Sequence, residues 1–204
     1  AYAGSESFAR LQKGVKEVLG KKYLLPAHQG RACENIIAKA FIKPGQIVLT
    51  NYHFTTTLAH ITEVGGRVIE LLHDEALELE SSNPFKGNID IDRLSDEIER
   101  HGPERISYLN ITVTCNSNGG QPVSMANIRE ATGIARDHGI PVFFDAARFA
   151  ENAYFIKERE EGYQDKTVRE IAREMFSHGD GCTMSAKKDA LVNIGGLLAT
   201  CDER

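Results

Sequence analysis

Short apolar runs alternate with longer amphipathic segments along most of this sequence. The runs of strand length are KYLLPA, QIVLTN, RVIELL, ISYLNITVT, PVFFDAA, GCTMSA and GGLLAT. Between several of them lie segments with helical periodicity, namely ACENIIAKAFI, TTTLAHITEVGG, DIDRLSDEIERHG and SMANIREATGIARDHG. Strands that alternate with helices of this length need crossover connections, which make neighbouring strands parallel. The pattern therefore predicts a single α/β domain with a mainly parallel sheet and helices on both faces.

Composition and charge exclude several classes of partner. The chain has 204 residues, enough for one domain with a well-buried core. Its formal net charge of -5 offers no basic surface to a nucleic acid. No apolar run approaches the roughly 20 residues that a membrane span requires. The cysteines are far apart and form no C-x-x-C pair, which indicates reduced thiols in a cytoplasmic protein. We therefore predict a cytoplasmic protein with a small-molecule partner, without nucleic-acid or membrane binding.

The first candidate site lies where the run KYLLPA leads into a helical segment. Gln29, Gly30 and Arg31 join the two. Backbone N–H groups at a helix N-terminus, together with the helix dipole and the charge of Arg31, can bind a phosphate group. A turn with a surface arginine would give the same residues, so this motif alone does not establish a phosphate site.

Two further strand ends carry polar residues. Asp145 ends the apolar part of PVFFDAA, with Arg148 three residues later, and Asn116 follows the run ISYLNITVT. A carboxylate at the end of a buried strand needs a cation or a hydrogen-bond donor. That partner is either the protonated nitrogen of a bound cofactor or a structural group, as in a helix N-cap or an ion pair with Arg148. Ligands of parallel sheets collect at the C-terminal strand ends, so these residues are expected at one edge.

The segment SAKKDALVNIGG brings two lysines to another strand end. The run GCTMSA contains Ser185 and is followed directly by Lys187 and Lys188. A single lysine here would be an ordinary surface charge. A nucleophilic lysine must lose its proton, and repulsion from Lys187 would favour the neutral amine of Lys188. An amine, a carboxylate and a phosphate-binding helix end together meet the needs of pyridoxal 5'-phosphate.

Several long segments resemble the tyrosine phenol-lyase and tryptophanase family of pyridoxal-phosphate-dependent β-eliminating lyases. The segments are AYAGSESF, HQGR, HFTTT, NGGQPVSMAN, ENAYFIK and SAKKDALVNIGG, and the similarity runs from Tyr2 to about Thr200. The resemblance implies the large cofactor-binding domain of the aspartate aminotransferase fold (fold type I). It also implies that residues 1–204 are this large domain alone, without the small C-terminal domain and the N-terminal arm.

The resemblance gives each candidate residue a role. Lys188 would hold the cofactor covalently and later remove the substrate Cα proton, and Asp145 would bind the ring nitrogen. The other cofactor contacts would come from the phosphate-binding Gln29, Gly30, Arg31 and Ser185 with Lys187 close by, from Phe54 stacked on the ring, and from Asn116 and Arg148 near the phenolic oxygen and the substrate carboxylate. Tyr2 would donate a proton in a neighbouring subunit's site, so a homodimer or homotetramer is implied. Asn193 would belong to a potassium site.

The implied reaction removes the aromatic ring from an aromatic L-amino acid and leaves pyruvate and ammonia. Thr55 after Phe54 is typical of the members that cleave tyrosine, as are IKPGQ and FKGNIDI. The segments TCNS, AARFAENAYF and SAKKD are closer to the members that cleave tryptophan. We predict L-tyrosine as the substrate, with catalytic Thr55 near its ring, and keep L-tryptophan as the alternative. Two other classes stay open, namely an aminotransferase or aldolase of the same fold and a non-catalytic cofactor-binding core.

Overall fold

The computed structural model describes residues 4–202, whose strands form one sheet of seven. The strands are β1 (Tyr23–Ala27), β2 (Ile47–Thr50), β3 (Arg67–Glu70), β4 (Ile106–Thr112), β5 (Val142–Asp145), β6 (Gly181–Ser185) and β7 (Gly196–Thr200). The α-helices are α1 (Glu6–Leu19), α2 (Gly30–Phe41), α3 (Thr55–Glu63), α4 (Ile91–His101), α5 (Met125–Asp137), α6 (Phe149–Arg159) and α7 (Val168–Ser177). Each predicted apolar run contains one of the strands.

The sheet has the order β1-β7-β6-β5-β4-β2-β3. Strands β3, β2, β4, β5 and β6 pair in parallel, whereas β7 runs antiparallel to β6 and to β1. The prediction of a mainly parallel sheet is therefore confirmed. Because β4, β5 and β6 are parallel neighbours, their C-terminal ends meet at one edge of the sheet.

Helices cover both faces of the sheet, as predicted. On one face, α2 and α3 contribute Ile37 and Ile61 to a cluster with Tyr108 and Phe143. The larger core lies on the other face and includes residues of α1, α4, α5, α6 and α7. Phe144 belongs to this larger core, although its neighbour Phe143 belongs to the first cluster. Five of the strands, β2, β4, β5, β6 and β7, are almost entirely buried and therefore rich in apolar residues, which is why they were recognisable in the sequence.

Three helices, α1, α6 and α7, lie outside the predicted helical segments. Helix α7 begins with a capping box in which the Thr167 and Glu170 side chains each bond to the other's backbone N–H, a signal present in the sequence as T-x-x-E. Helix α6 has no such local signal. A distant carboxylate, that of Asp189, accepts hydrogen bonds from the backbone N–H groups of Ala150 and Glu151 in its first turn.

The structure also bears on membrane spans and on the state of the cysteines. Between residues 4 and 202, none of the helices is both long enough and apolar enough to cross a membrane. All four cysteines are free thiols; Cys33, Cys115 and Cys182 are buried and Cys201 is exposed.

Candidate functional site

A cavity opens where β4, β5 and β6 end, between these strands and the N-terminal end of α2. Its lining consists of Gln29, Gly30, Arg31, Glu34, Phe54, Thr56, Thr112, Val113, Thr114, Asn116, Asp145, Ala147, Arg148, Thr183, Ser185, Lys187 and Lys188. Every residue predicted to contact the cofactor is among them. Segments far apart in the sequence therefore meet at the expected edge of the sheet.

Two glycines allow α2 to approach the sheet closely. A Cβ atom on Gly30 would lie 2.8 Å from the Cβ atom of Ser185, and one on Gly196 would lie 2.6 Å from the backbone nitrogen of Gly30. Neither distance is compatible with a side chain. The N-cap residue Gln29 makes no side-chain capping bond, and the first turn of α2 has no acidic residue. The positive end of the helix dipole, with the charge of Arg31, therefore faces the cavity.

The segment that carries the two lysines is fixed through its backbone. The N–H of Lys188 donates to the carbonyl of Ser185 at 3.2 Å. The next residue, Asp189, is bound to α6: its carboxylate accepts from the N–H of Ala150 at 2.7 Å and from that of Glu151 at 3.2 Å. Lys188 is therefore anchored on both sides while its side chain reaches into the cavity.

The aromatic residue of the cavity lies close to this lysine. The Nζ atom of Lys188 is 6.0 Å from the centre of the Phe54 ring. Phe54 is the N-cap residue of α3. Thr55, predicted to act on the substrate ring, is exposed and does not line the cavity, whereas Thr56 does. The cofactor-stacking and substrate roles of these residues stay predictions.

Asp145 lies at the C-terminal end of β5 with an energetically costly charge. Its Oδ1 atom accepts a hydrogen bond from the N–H of Ala147 at 3.2 Å. Burial, and secondly the negative charge of Glu34, raise the pKa of Asp145 to about 6, although the Ala147 amide and the charge of Lys188 act in the opposite direction. A cation brought to this carboxylate would relieve the penalty.

Arg148 is directed to other partners than Asp145. Its Nε atom donates to Oδ1 of Asn116 at 2.6 Å, and its Nη1 atom forms an ion pair with Glu151 at 2.9 Å. Arg148 therefore forms its ion pair with Glu151 and not with Asp145. Asn116 and Arg148 lie side by side in the cavity lining, and their contacts with the cofactor and the substrate stay predictions.

Glu34 also lines the cavity, and it is the most important lining residue that was not predicted from the sequence. It lies on α2 one helical turn after Gly30, and this i, i+4 spacing was the available signal. Burial raises the pKa of Glu34, against a hydrogen bond from the Thr56 side chain and the charge of Arg31. Its Oε2 atom is buried and has no hydrogen-bond partner among the described groups.

Asn193, like Thr55, is not among the residues that line the cavity. Asn193 is exposed in the segment before β7. The residues from 4 to 202 contain no group of three or more His, Cys, Asp or Glu side chains arranged to hold a metal ion. Tyr2 lies outside the described residues. The potassium site and the role of Tyr2 therefore stay predictions.

Comparison with known proteins supplies the context of this site. The profile of the Beta-eliminating lyase family matches residues 1–203. The chain is 54% identical over 203 residues to a tyrosine phenol-lyase of Symbiobacterium thermophilum and 53% identical over 203 residues to that of Fusobacterium nucleatum. Each alignment covers 100% of this chain but 44% of the relative, so the chain spans less than half of their length.

A solved structure shares the fold at low sequence identity. The SepCysS–SepCysE N-terminal domain complex superposes with a TM-score of 0.67, covering 96% of this chain and 46% of that chain. The sequences are 16% identical, so the likeness concerns the fold alone.

Proposed function

Because this chain belongs to the beta-eliminating lyase family, we propose that it is the cofactor-binding part of a pyridoxal-phosphate-dependent carbon–carbon lyase. The whole protein would convert L-tyrosine to phenol, pyruvate and ammonia. The observation that carries the proposal is the meeting of Lys188, Asp145 and the N-terminal end of α2 in one cavity. Residues 1–204 would be the large domain of the complete protein.

The charges of the cavity fit this cofactor. One end offers the helix N-terminus with Arg31, Ser185 and Lys187, which suits a phosphate group. Asp145 and the unpartnered Oε2 atom of Glu34 bring negative charge to the same cavity, which suits a protonated ring nitrogen. The close approach that Gly30 permits lets a phosphate contact backbone as well as side chains.

The residues of the chain divide the work of the reaction. When bound, pyridoxal 5'-phosphate supplies an electron sink for the charge that develops at the substrate Cα. Asp145 would keep the proton on the ring nitrogen, because a buried carboxylate is stabilised by a cation. Lys188 would hold the cofactor through its amine and, once the substrate amine has taken its place, remove the Cα proton. Tyr2 of a neighbouring subunit would protonate the departing ring, so the protein would act as a homodimer or homotetramer.

Lysine labelling tests the cofactor assignment. Borohydride reduction of the full-length protein with its cofactor should leave the label on Lys188, because this amine lies in the cavity beside Phe54. Lys188→Ala should lose the label, whereas the matched variant Lys187→Ala should keep it. The measurement is peptide mass spectrometry. A label on Lys187 in the wild type would show that the two roles are reversed.

The choice of substrate is supported by the relatives named tyrosine phenol-lyase. Parallel assays of the full-length protein with tyrosine and tryptophan, without an amino acceptor, should show faster release of phenol than of indole, and pyruvate with both products. Faster indole release would favour the tryptophan alternative. Amino transfer without pyruvate would identify an aminotransferase, and the same assay repeated without potassium tests the predicted dependence on that ion.

A further inference from the structure

A second carboxylate, that of Glu34, shares the cavity with Asp145 and performs no step of the mechanism above. Both residues also line a smaller cavity next to the main one, together with Thr57, Tyr108 and Asn110. The two acids therefore line the region at the end of β5 that the two cavities share. Their side chains come from opposite sides of it, Glu34 from α2 and Asp145 from the sheet.

The Glu34 carboxylate is fixed in place but incompletely bonded. The Thr56 side chain hydrogen-bonds to it, and Arg31 on the same helix attracts it. The Oε2 atom is buried and meets no hydrogen-bond partner within residues 4–202. Buried carboxylate oxygens normally have a donor, and a ligand or its protonated group can serve as one.

We propose that Glu34 is a positioning residue that acts through Asp145: as a second anion beside the ring-nitrogen end of the cavity, it sets the pH range over which a protonated pyridine ring is bound. This inference rests on the proposed function, because it presupposes a pyridine ring in the cavity.

The charged neighbours of the pair are few. The cations of the cavity lining are Arg31 on α2, Lys187 and Lys188 after β6, and Arg148 before α6. Of these, Arg31 acts on Glu34 and Lys188 acts on Asp145.

The other titratable neighbours stay neutral near pH 7. Burial and the charge of Glu34 raise the pKa of Tyr108 on β4 and of Cys33 on α2. Burial also raises the pKa of Cys182 on β6 and of Cys115 after β4. The net charge at this end of the cavity is therefore decided by the two carboxylates and their two cations.

The direction of the effect follows from the sign of the charge. An anionic Glu34 makes Asp145 harder to ionise, and it makes a ring nitrogen easier to keep protonated. Cofactor binding weakens at acid pH when Asp145 gains a proton and at alkaline pH when the ring loses one. Removal of the Glu34 charge should therefore move both limits of the binding range to lower pH.

The test uses the full-length protein and three variants. Glu34→Gln removes the charge and keeps the shape and the acceptor for Thr56; Glu34→Asp keeps the charge. Glu130→Gln, on the exposed surface of α5, is the charge-matched control. The measurement is the affinity for pyridoxal 5'-phosphate from absorbance titrations across the acid and alkaline limits, together with the pH titration of the bound cofactor's visible band.

We expect both limits of Glu34→Gln to shift downward by about one pH unit. Glu34→Asp should keep the wild-type limits, and Glu130→Gln should be unchanged in every respect. A uniform loss of affinity in Glu34→Gln without any shift of the limits would show that Glu34 only packs the site, and would overturn the inference while leaving the proposed function standing. A wild-type protein that binds no cofactor would overturn both.

Discussion

Two acidic side chains of this molecule, both at least partly buried, have opposite surroundings. Glu174 on α7 accepts hydrogen bonds from Lys166 at 2.8 Å and from the Tyr163 hydroxyl at 2.7 Å, and it forms an ion pair with Arg129. These partners outweigh the effect of burial and lower the pKa of Glu174 to about 2. Asp145 lies beside another carboxylate, and its pKa is raised to about 6 by burial and by that neighbour.

The difference separates a structural carboxylate on a helix from a carboxylate at a strand end that we propose to bind a ligand. Glu174 lies on α7 and has partners from α5 and from the segment between α6 and α7, so its charge stabilises the packing of these elements. Asp145 has its negative charge beside a cavity, where the folded chain supplies less compensation. A carboxylate that destabilises the protein alone and gains from a bound cation is typical of a binding site. Substitutions at the two sites should therefore have opposite effects.

The largest expected effect is that of Asp145→Asn on cofactor binding. The amide cannot form an ion pair with a protonated ring nitrogen, so affinity for pyridoxal 5'-phosphate should fall on the order of 100-fold or more. Titration of the full-length protein followed by absorbance measures it. An affinity within a few-fold of the wild type would show that Asp145 does not bind the ring nitrogen of the cofactor.

Glu174→Gln should affect stability instead. Loss of the charge leaves Lys166 and Arg129 with weaker acceptors, and we expect the free energy of unfolding to fall by about 1–3 kcal/mol. Urea denaturation measures this value, with Glu158→Gln on the exposed face of α6 as the control. Cofactor affinity of the folded protein should stay unchanged. A loss of affinity here would mean that the two acidic sites are coupled.

The smallest effect is the dependence of cofactor-free stability on pH. The folded pKa of Asp145, about 6, lies above its unfolded value of about 3.9. The loss of folding stability caused by the ionised Asp145 is therefore absent below the unfolded pKa, grows as the pH rises through the folded pKa, and is complete above it. Asp145→Asn should stabilise the cofactor-free protein near pH 7 by about 1–2 kcal/mol and should give no gain near pH 4.

Glu174 should show the opposite dependence in the same denaturation series. Its folded pKa of about 2 lies below the unfolded value, so its stabilisation is present above the unfolded pKa and is lost as the pH falls through the folded one. The difference between wild type and Glu174→Gln should therefore shrink in acid. Parallel pH profiles for the two variants would contradict the comparison.

The sheet was predictable because most of its strands are buried on both faces and are consequently rich in apolar residues. The edge at which ligands collect followed from the parallel arrangement, and so did the meeting of Asp145, Asn116 and Ser185. The contact residues that came from the family resemblance, such as Phe54, also line the cavity. Their individual roles in binding and catalysis stay predictions.

Interactions between distant segments were not predictable. Glu34 is one polar residue among several on α2, and its importance depends on a β5 carboxylate that the sequence does not bring near it. Arg148 had two acidic neighbours within reach in the sequence, and only the folded chain decides for Glu151 over Asp145. The N-terminal end of α6 lacks a local cap because Asp189 supplies one from the far side of β6.

That last contact has a consequence for the motion of the Lys188 amine. The Asp189 side chain binds the N-terminal end of α6, so the backbone immediately after Lys188 is held in place. The reach of the amine is then set by its four-carbon side chain alone. In the role that we propose for Lys188, this amine would move between the cofactor and the substrate Cα without any rearrangement of the sheet. Repeated turnover would then require side-chain rotation, which takes picoseconds to nanoseconds, instead of slower loop movement.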